Sequence, residues 1–390
     1  MDRHAPSRFD HTRRCTDNMR KIIVLTAAIG LTFGSFASVA AQDRWAGGDD
    51  LATNPLPCTA DEAAPAPVAI DYNGGQPTNA PDLAGQPITI VDIPKLIGIG
   101  YFNATAQGMQ EAAAELGNVE VINDGPTAGN IDEQIAFIDN YITQGVNGVL
   151  FAANDPVAIA PVLTKALEAG IHVVGYDANS VPEAREWFVN QAEFNGIAKA
   201  MIDSLVAEQG DAASFGIVTS TFTTPNQARW IAEMEAYAKK CYPNLTWLET
   251  LEAQEDAPLS FSQAQTLLNK YGDGIQGILG MTSVATPNSA DAVTQADLCG
   301  KVSVVGLATP NAMKPYVDAG CVKSVVLWNP VDLGYAATYV MRAVVDGTFK
   351  PGDTSVAAGK LGDLQVVNGS EVLLGAPFIY TAENINDFDF

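Results

Sequence analysis

The residues with the most chemical potential in this sequence stand directly after its apolar runs. Lys95, Tyr101 and Phe102 follow "ITIV", and Asp177 ends "GIHVVGYD". The other candidates in such positions are Asn154, Met281, Thr282, Ser283, Trp328 and Asn329, and Asn226 and Gln227 stand at the start of the predicted helix "NQARWIAEMEAYAKKC". Aromatic rings stack on the C–H faces of small polyols, while amides and carboxylates bracket hydroxyl groups. The set therefore indicates binding of a small polyhydroxylated molecule.

Catalytic signatures are scarce. The sequence has no GxSxG motif and no P-loop, and "GIG" at 98–100 lacks the rest of a dinucleotide fingerprint. The one histidine after residue 41, His172, begins a predicted strand, and we interpret it as structural. No CxxC or Cys/His cluster indicates a metal, and we expect no cofactor. A carboxylate pair cannot be picked out among so many acidic residues, so a secreted sugar-acting enzyme stays an alternative.

Residues at strand ends form one site when the strands are parallel, and the sequence predicts such strands. From residue 86 the strands "ITIVDI", "VEVIND", "VNGVLFA" and "IHVVGYD" alternate with amphipathic helices, the first being "TAQGMQEAAAELG". After "REWFVNQ" the pattern restarts and runs to a predicted hairpin around Asn368-Gly369. We predict an α/β fold of two doubly wound parallel-sheet lobes. A closed eight-fold barrel is the alternative.

The first 41 residues resemble a targeting segment. Met19-Arg20-Lys21 is a basic start, "IIVLTAAIGLTFGSFA" is an apolar core, and "VAAQ" places cleavage after Ala41. We therefore predict a signal peptide with an upstream extension over 1–41, and a single membrane anchor is the alternative. Residues 42–85, rich in Pro, Ala, Gly and Asp, are predicted to form an irregular N-terminal arm.

Charge limits the partners. Beyond Ala41 the chain has 15 basic and 42 acidic residues, a net charge of −27. Such a charge opposes binding to nucleic acid or anionic membrane and suits a soluble monomer. A transcription regulator would need a basic DNA-binding segment before residue 86, where the sequence is Pro-rich and acidic.

Four cysteines follow the predicted cleavage point, an even number that permits disulfides in an exported protein. Cys299 and Cys321 each precede a predicted parallel strand, so neighbouring strands would bring them together. This favours a Cys299–Cys321 bond, with Cys58–Cys241 as the weaker expectation. Three pairings remain open on the sequence alone.

Several longer motifs, in order, resemble those of a known family. The markers are "IPKLIGIGYF", "DGPT", "NDP", "GYDAN", "NQARW", "TPNAMKPYV", "LWNPVDLGY" and the ending "NINDFDF". On these motifs, residues 88–390 resemble periplasmic solute-binding proteins of the ribose-binding type, which serve ABC importers. Within that family the chain looks most like the autoinducer-2 receptor and rhamnose-binding branch.

The resemblance implies a type I periplasmic binding protein, with two lobes joined by a three-stranded hinge around a ligand cleft. Lobe one would take 86–190 and 329–357, and lobe two 191–328 and 358–390. It also implies export to the periplasm, delivery of the ligand to an ABC permease in the inner membrane, and no catalysis. A chemoreceptor is a further partner compatible with this architecture.

Individual residues match the family's ligand-binding positions. The resemblance implies that Lys95 reaches ligand oxygens and that Asp177 accepts hydrogen bonds from ligand hydroxyls. It also implies that the Tyr101–Phe102 pair stacks on the ligand, and Gln227 matches a glutamine of the autoinducer-2 receptor. Asn226 stands where the autoinducer-2 receptor has an aspartate, and Met281 and Ser283 replace its proline and alanine. The resemblance therefore favours a monosaccharide or deoxy-sugar, rhamnose-like, with autoinducer-2 as the alternative.

Overall fold

The computed structural model describes residues 53–63 and 70–390. The predicted signal peptide, its upstream extension and the cleavage point after Ala41 lie outside these residues, as do 42–52 and 64–69 of the predicted arm. Among the helices of the described part, none is long and apolar enough to cross a membrane.

Strands and helices alternate along most of the described chain. The strands are β1 Ile88–Ile93, β2 Val119–Asn123, β3 Gly148–Phe151, β4 His172–Tyr176, β5 Trp187–Asn190, β6 Ser214–Thr219, β7 Thr246–Glu252, β8 Gly277–Gly280, β9 Ser303–Gly306, β10 Val325–Leu327, β11 Ser355–Ala357, β12 Asp363–Val367, β13 Glu371–Leu373 and β14 Phe378–Tyr380. The α-helices are α1 Gly100–Leu116, α2 Ile131–Gln144, α3 Ala160–Glu168, α4 Phe194–Gln209, α5 Pro225–Cys241, α6 Ala257–Tyr271, α7 Ala285–Gln295, α8 Pro310–Asp318 and α9 Pro330–Val345.

The first lobe contains an open sheet. Its described strands lie in the order β11-β12-β13-β5-β4-β3-β1-β2. Strands β1 to β5 are parallel, and every residue of β3 and β4 is buried, as expected where helices cover both faces. The predicted doubly wound parallel sheet is confirmed for this lobe. The closed barrel is wrong, because β2 and β11 are free edges of this sheet.

The second lobe is built from the middle of the chain. Among its described strands, β7-β6-β8-β9 form a parallel sheet. One parallel bridge between Leu307 and Val326 joins this sheet to the antiparallel pair β10–β14. The chain passes between the lobes after β5, after β10 and after β13. These three passages form the three-stranded hinge of a type I periplasmic binding protein fold.

The C-terminal segment differs from the prediction. The sequence placed residues 358–390 in the second lobe, but β12 and β13 belong to the first sheet. The predicted hairpin around Asn368-Gly369 is present, and its second strand, β13, pairs in parallel with β5. The edge of β5 offers unpaired backbone groups that β13 satisfies. In the second lobe only β14 of this segment forms a strand pair.

Helix α1 begins five residues earlier than the sequence predicts, at Gly100, and its first turn therefore includes Tyr101 and Phe102. Further along, α1 crosses α9 at very short range. A Cβ atom on Gly108 would lie 1.8 Å from the Val331 carbonyl oxygen, and one on Gly334 would lie 1.9 Å from that of Thr105. Only glycine allows these two backbones to approach so closely.

The described part of the N-terminal arm contains neither helix nor strand, and it contacts both lobes. Cys58 forms a disulfide with Cys241, the last residue of α5 in the second lobe. Tyr72 packs edge-on against Trp187 of β5 and donates a hydrogen bond to the Glu186 carbonyl oxygen, 3.0 Å away, in the first lobe.

Both expected disulfides are present. The favoured bond joins Cys299 to Cys321, which stand shortly before β9 and β10. These strands lie side by side at the Leu307–Val326 bridge, so the sequence argument from neighbouring strands is confirmed. The Cys58–Cys241 bond, the weaker expectation, is confirmed as well.

Candidate functional site

A cavity that is partly open to solvent lies between the two lobes. Ten of the twelve residues predicted from the sequence line it: Lys95, Tyr101, Phe102, Asp177, Asn226, Gln227, Met281, Thr282, Ser283 and Trp328. The first lobe contributes the residues after β1 and β4, and the second lobe those after β8 and at the start of α5. The cavity thus lies beyond the carboxyl ends of both parallel sheets, where open α/β folds bind ligands.

A buried ion pair forms the polar centre of the first-lobe wall. Lys95 Nζ lies 2.7 Å from Asp177 Oδ2, and both side chains are almost fully shielded from water. Tyr101 donates to Asp177 Oδ1 over 2.9 Å, and Trp328 Nε1 donates to the Tyr101 hydroxyl over 3.0 Å. Burial first, and the Asp177 charge second, raise the pKa of Tyr101 well above its usual value. Its hydroxyl therefore stays protonated and continues to donate.

Local backbone geometry places these groups. Asp177 directly follows β4 and has a φ of 56°, in the left-handed region that aspartate tolerates better than most residues. Pro94 ends β1 immediately before Lys95, and the Asn154 side chain donates to the Lys95 carbonyl oxygen over 2.8 Å. These local contacts hold a lysine and an aspartate, which are rarely buried alone, facing one another.

Aromatic rings surround the ion pair. Tyr101 meets Phe102 and Trp328 edge-on, with ring centroids 5.1 and 6.0 Å apart. Trp328 in turn lies 5.7 Å from Trp230 of α5. Such rings supply flat apolar faces for stacking and exclude water from the polar groups between them.

The second-lobe wall holds its amides in fixed orientations. The Gln227 Oε1 atom accepts from Thr219 Oγ1 at 2.6 Å and from the Ser220 amide at 2.8 Å, leaving Nε2 directed towards Glu255. Asn226 reaches across the cavity, with Nδ2 3.4 Å from Asp177 Oδ1.

Two predicted site residues do not line the cavity. The Asn154 amide nitrogen bonds to the Lys95 carbonyl and to Gln134 Oε1, so it supports the loop that carries Lys95. Asn329 caps α9, because its Oδ1 accepts from the Val331 and Asp332 amides. His172, interpreted as structural, is buried and lies 3.0 Å from Glu186 Oε2, and it is not among the cavity residues.

Sequence reasoning missed five residues that line the cavity: Ile99, Trp230, Glu255, Leu307 and Leu327. Trp230 stands four residues after Asn226 and three after Gln227, a spacing that places side chains on one helix face and could have identified it. Glu255 follows β7 as Asp177 follows β4, so the rule of strand ends could have included it. Leu307 and Leu327 also stand at strand ends, but an aliphatic side chain there is equally typical of the core and carries no signal of a binding site.

The charges of the cavity favour an uncharged ligand. The positive charge of Lys95 is already neutralised by Asp177. The other carboxyl group in the cavity lining belongs to Glu255. Burial is the main cause that raises the pKa of Glu255, while Lys95, Thr282 and Gln227 oppose this shift. A sugar acid or sugar phosphate would add a further negative charge without a free cation to meet it.

A metal has no evident site in the described residues, where no three His, Cys, Asp or Glu side chains are grouped as ligands. The donors of the cavity are amides, hydroxyls, indoles and one ammonium group. This arrangement can hold and orient hydroxyl groups without covalent chemistry.

A comparison with family models matches residues 90–349 to the periplasmic binding protein domain. Among curated proteins, the D-allose-binding periplasmic protein of Escherichia coli is 26% identical over 246 residues, which cover 60% of this chain and 77% of that protein. The similarity therefore extends through most of both lobes.

Two solved structures are similar to this chain in both fold and sequence. LsrB from Clostridium saccharobutylicum, in complex with AI-2, is 26% identical, with a TM-score of 0.73 over 78% of this chain and 100% of that one. A solute-binding protein from Clostridium phytofermentas with bound L-rhamnose is 28% identical, with a TM-score of 0.71 over 77% and 98%.

Proposed function

The chain belongs to the periplasmic binding protein family, and from this premise we propose that it binds a monosaccharide or deoxy-sugar for an ABC importer. The ligand would be rhamnose-like and would bind between the lobes. The single observation that carries this proposal is the cavity itself, where ten residues chosen from the sequence as polyol-binding groups meet.

The polar groups fit a neutral sugar ring. Asp177 has two acceptor oxygens and Lys95 has three donor hydrogens, so a ligand hydroxyl can exchange with part of their mutual pairing. Asn226 and Gln227 add donors and acceptors from the opposite lobe. Tyr101, Phe102 and Trp328 supply the faces on which the C–H groups of a sugar stack.

The apolar lining supports a deoxy-sugar. Apolar side chains line the cavity: Ile99, Met281, Leu307 and Leu327. A methyl group in place of a hydroxymethyl group would lie favourably against them, at about 0.8 kcal/mol for each buried CH₂ or CH₃ equivalent.

Autoinducer-2 is the second candidate. Lys95 and Gln227 occupy the same cavity, and both resemble positions of the autoinducer-2 receptor branch. The substitution of an aspartate by Asn226 removes one charged acceptor, and this difference favours the sugar. A sugar-acting enzyme is a more distant candidate, and it would rely on the two carboxyl groups of the lining, Asp177 and Glu255.

Transport would use the hinge. Ligand that contacts both lobes stabilises the closed form over the open form, and the closed form would dock on a permease in the inner membrane. Periplasmic binding protein homologues act in the periplasm, and the predicted signal peptide, cleaved near Ala41, is consistent with that compartment. We propose that the chain acts as a monomer, and that a chemoreceptor is a compatible additional partner.

The test is calorimetric titration of residues 42–390, refolded to remove any ligand retained during purification. L-rhamnose, D-ribose, D-allose, D-galactose and autoinducer-2 are titrated separately, and each bound compound is recovered and checked by NMR. Micromolar or tighter binding of one intact sugar supports the proposal. Binding of autoinducer-2 alone supports the second candidate, chemical conversion of the ligand supports the enzyme, and silence across the panel contradicts the proposal.

A further inference from the structure

Two buried polar atoms of the cavity lining have no hydrogen-bond partner among the described residues: Glu255 Oε2 and Trp230 Nε1. Both side chains belong to the second lobe and both line the cavity. One atom is an acceptor and the other a donor. Buried polar groups in folded proteins are nearly always paired, so each orphan calls for an explanation.

The surroundings of Glu255 leave one oxygen available. The Gln227 Nε2 atom lies 3.3 Å from Oε1, and the Thr282 hydroxyl is near enough to oppose the rise in the pKa of this carboxyl. Neither contact satisfies Oε2. The carboxyl group is therefore anchored through one oxygen while the other remains unpaired.

The backbone holds Glu255 in an unfavourable conformation. Gln254 and Glu255 have φ values of 52° and 55°, two consecutive left-handed residues without glycine. The turn is maintained by backbone bonds from Ala253 to Thr219 and from Gln254 to Ser220, 2.7 and 2.9 Å long. Such strain is found preferentially at binding sites.

Trp230 is fixed equally well. Its side chain is buried in α5 against Trp328, with ring centroids 5.7 Å apart. The indole N–H of Trp328 is used by Tyr101, whereas that of Trp230 is unused. Only the Trp230 indole N–H is therefore available to donate a hydrogen bond to a molecule in the cavity.

We propose that Glu255 and Trp230 form a polar subsite for the hydroxyl groups of the ligand, on the second-lobe wall. A ligand hydroxyl donates to Glu255 Oε2, and a ligand oxygen accepts from Trp230 Nε1. The subsite rests on the proposed function, and it adds a second carboxylate, opposite Asp177, as a determinant of specificity. A polyol with hydroxyl groups on two opposite sides satisfies both walls, whereas a ligand with hydroxyls on one side satisfies only Asp177.

The experiment compares calorimetric titrations of wild type, Glu255→Gln and Trp230→Phe, using whichever sugar of the panel wild type binds. Matched controls are Glu168→Gln, at an exposed position, and Trp247→Phe, whose indole nitrogen bonds to Thr250 within the second lobe. We expect the dissociation constant to rise at least tenfold in Glu255→Gln, because a charge-assisted hydrogen bond is lost. In Trp230→Phe we expect a rise of about three- to tenfold, because the lost hydrogen bond is a neutral one, and less than twofold in the controls.

A measurement without ligand separates binding from structure. Glu255→Gln replaces a buried carboxyl group by an amide that carries no charge to desolvate, so the unliganded variant should melt at the same temperature as wild type or higher. Unchanged affinity in both cavity variants, with wild type binding normally, would overturn the subsite and leave the proposed function standing. A lower melting temperature of unliganded Glu255→Gln would assign the residue a structural role and also overturn it. If the wild-type protein binds no compound of the panel, that result contradicts both the proposed function and the subsite.

Discussion

At the scale of single residues, the site depends on buried groups that satisfy one another. Lys95 and Asp177 neutralise each other's charge, and Tyr101 completes the pairing of the carboxylate. A charge at this depth is tolerated because its partner is present, and a ligand enters by sharing those bonds. Changes at these positions should therefore affect stability as well as binding.

Asp177→Asn tests this coupling. Asparagine accepts the left-handed backbone conformation at this position, so the main effect is the loss of charge beside Lys95. We expect the free energy of unfolding to fall by about 3 kcal/mol, because the ammonium group is left buried without a counter-charge. Urea denaturation at pH 7 measures it. A loss below about 0.5 kcal/mol would mean that the pair adds nothing to the folded state.

The burial of Asp92 should make the stability of the folded protein depend on pH. Burial raises the pKa of this carboxyl to about 7, although Tyr176 and Asn123 donate hydrogen bonds to it. Between about pH 4 and pH 7 the folded protein holds a proton that the unfolded chain has released, so stability falls as pH rises through this range. The slope from one such group is at most about 1.4 kcal/mol per pH unit.

Asp92→Asn should flatten this dependence. We expect the loss of stability between pH 5 and pH 8 to be smaller in the variant than in wild type, as measured by urea denaturation at both pH values. Glu255 and Glu371, whose pKa values are also raised by burial, remain in both proteins and give a common background. Asp273→Asn, at an exposed position, is the control. Identical slopes in wild type and Asp92→Asn would show that Asp92 is ionised in the folded state throughout.

At the scale of elements, the close crossing of α1 and α9 positions two sides of the cavity. Helix α1 carries Tyr101 and Phe102 in its first turn, and α9 begins two residues after Trp328. Gly108 and Gly334 allow the helices to touch backbone to backbone. The geometry of the aromatic wall therefore depends on two residues that do not contact the cavity.

Gly108→Ala should separate these helices. Its Cβ would overlap the Val331 carbonyl oxygen, and we expect a loss of about 3 kcal/mol in the free energy of unfolding, because backbone atoms cannot rotate away. Thermal denaturation compares the variant with Gly274→Ala, where a Cβ meets no atom within 4 Å. Equal stability of the two variants would contradict the close packing of α1 and α9.

Much of the fold could be predicted because the signals are local. Strands such as "ITIVDI" are apolar on both faces and β-branched, which identifies buried parallel strands without tertiary information. The start of α1 was missed because Gly100, Tyr101 and Phe102 are weak helix formers, and packing against the first lobe overrides that preference. The pairing of β13 with β5 joins residues far apart in sequence, and no local pattern indicates which edge a hairpin strand will choose.

The candidate site was predictable for a related reason. Side chains that follow parallel strands meet at one edge of a sheet, so eight of the ten lining residues could be selected from their positions after strands, and Asn226 and Gln227 from the start of the next helix. Asn154 and Asn329 also follow strands, but their side chains form hydrogen bonds with backbone groups and do not line the cavity. Which of the two occurs depends on local hydrogen-bond geometry, which the sequence does not show. Glu255 was missed because the turn after β7 was not treated as a strand end.

At the scale of the whole molecule, two disulfides close loops of very different length. Cys58 and Cys241 are 183 residues apart, whereas Cys299 and Cys321 are 22 residues apart. The longer bond attaches the arm to the second lobe, and the arm also contacts the first lobe through Tyr72. Covalent closure of the longer loop restricts the unfolded chain more strongly.

Replacing each disulfide by two serines should reveal this difference. We expect Cys58→Ser with Cys241→Ser to lower the free energy of unfolding by about 2 kcal/mol more than Cys299→Ser with Cys321→Ser, since the loop-entropy term grows with the logarithm of loop length. Denaturation under non-reducing conditions measures both double variants. A larger loss from the shorter loop would show that local packing, and not chain entropy, determines the contribution.

The most direct test of the central claim is a paired titration of wild type and Lys95→Met with the sugar panel. If a sugar binds between the lobes at the Lys95–Asp177 pair, wild type binds one molecule per chain, and the variant binds about 10- to 150-fold more weakly, as expected for a lost charge-assisted hydrogen bond. Lys165→Met, which removes an exposed partner of Asp139, should bind as wild type does. Equal affinity of wild type and Lys95→Met would place the ligand outside this cavity and contradict the account.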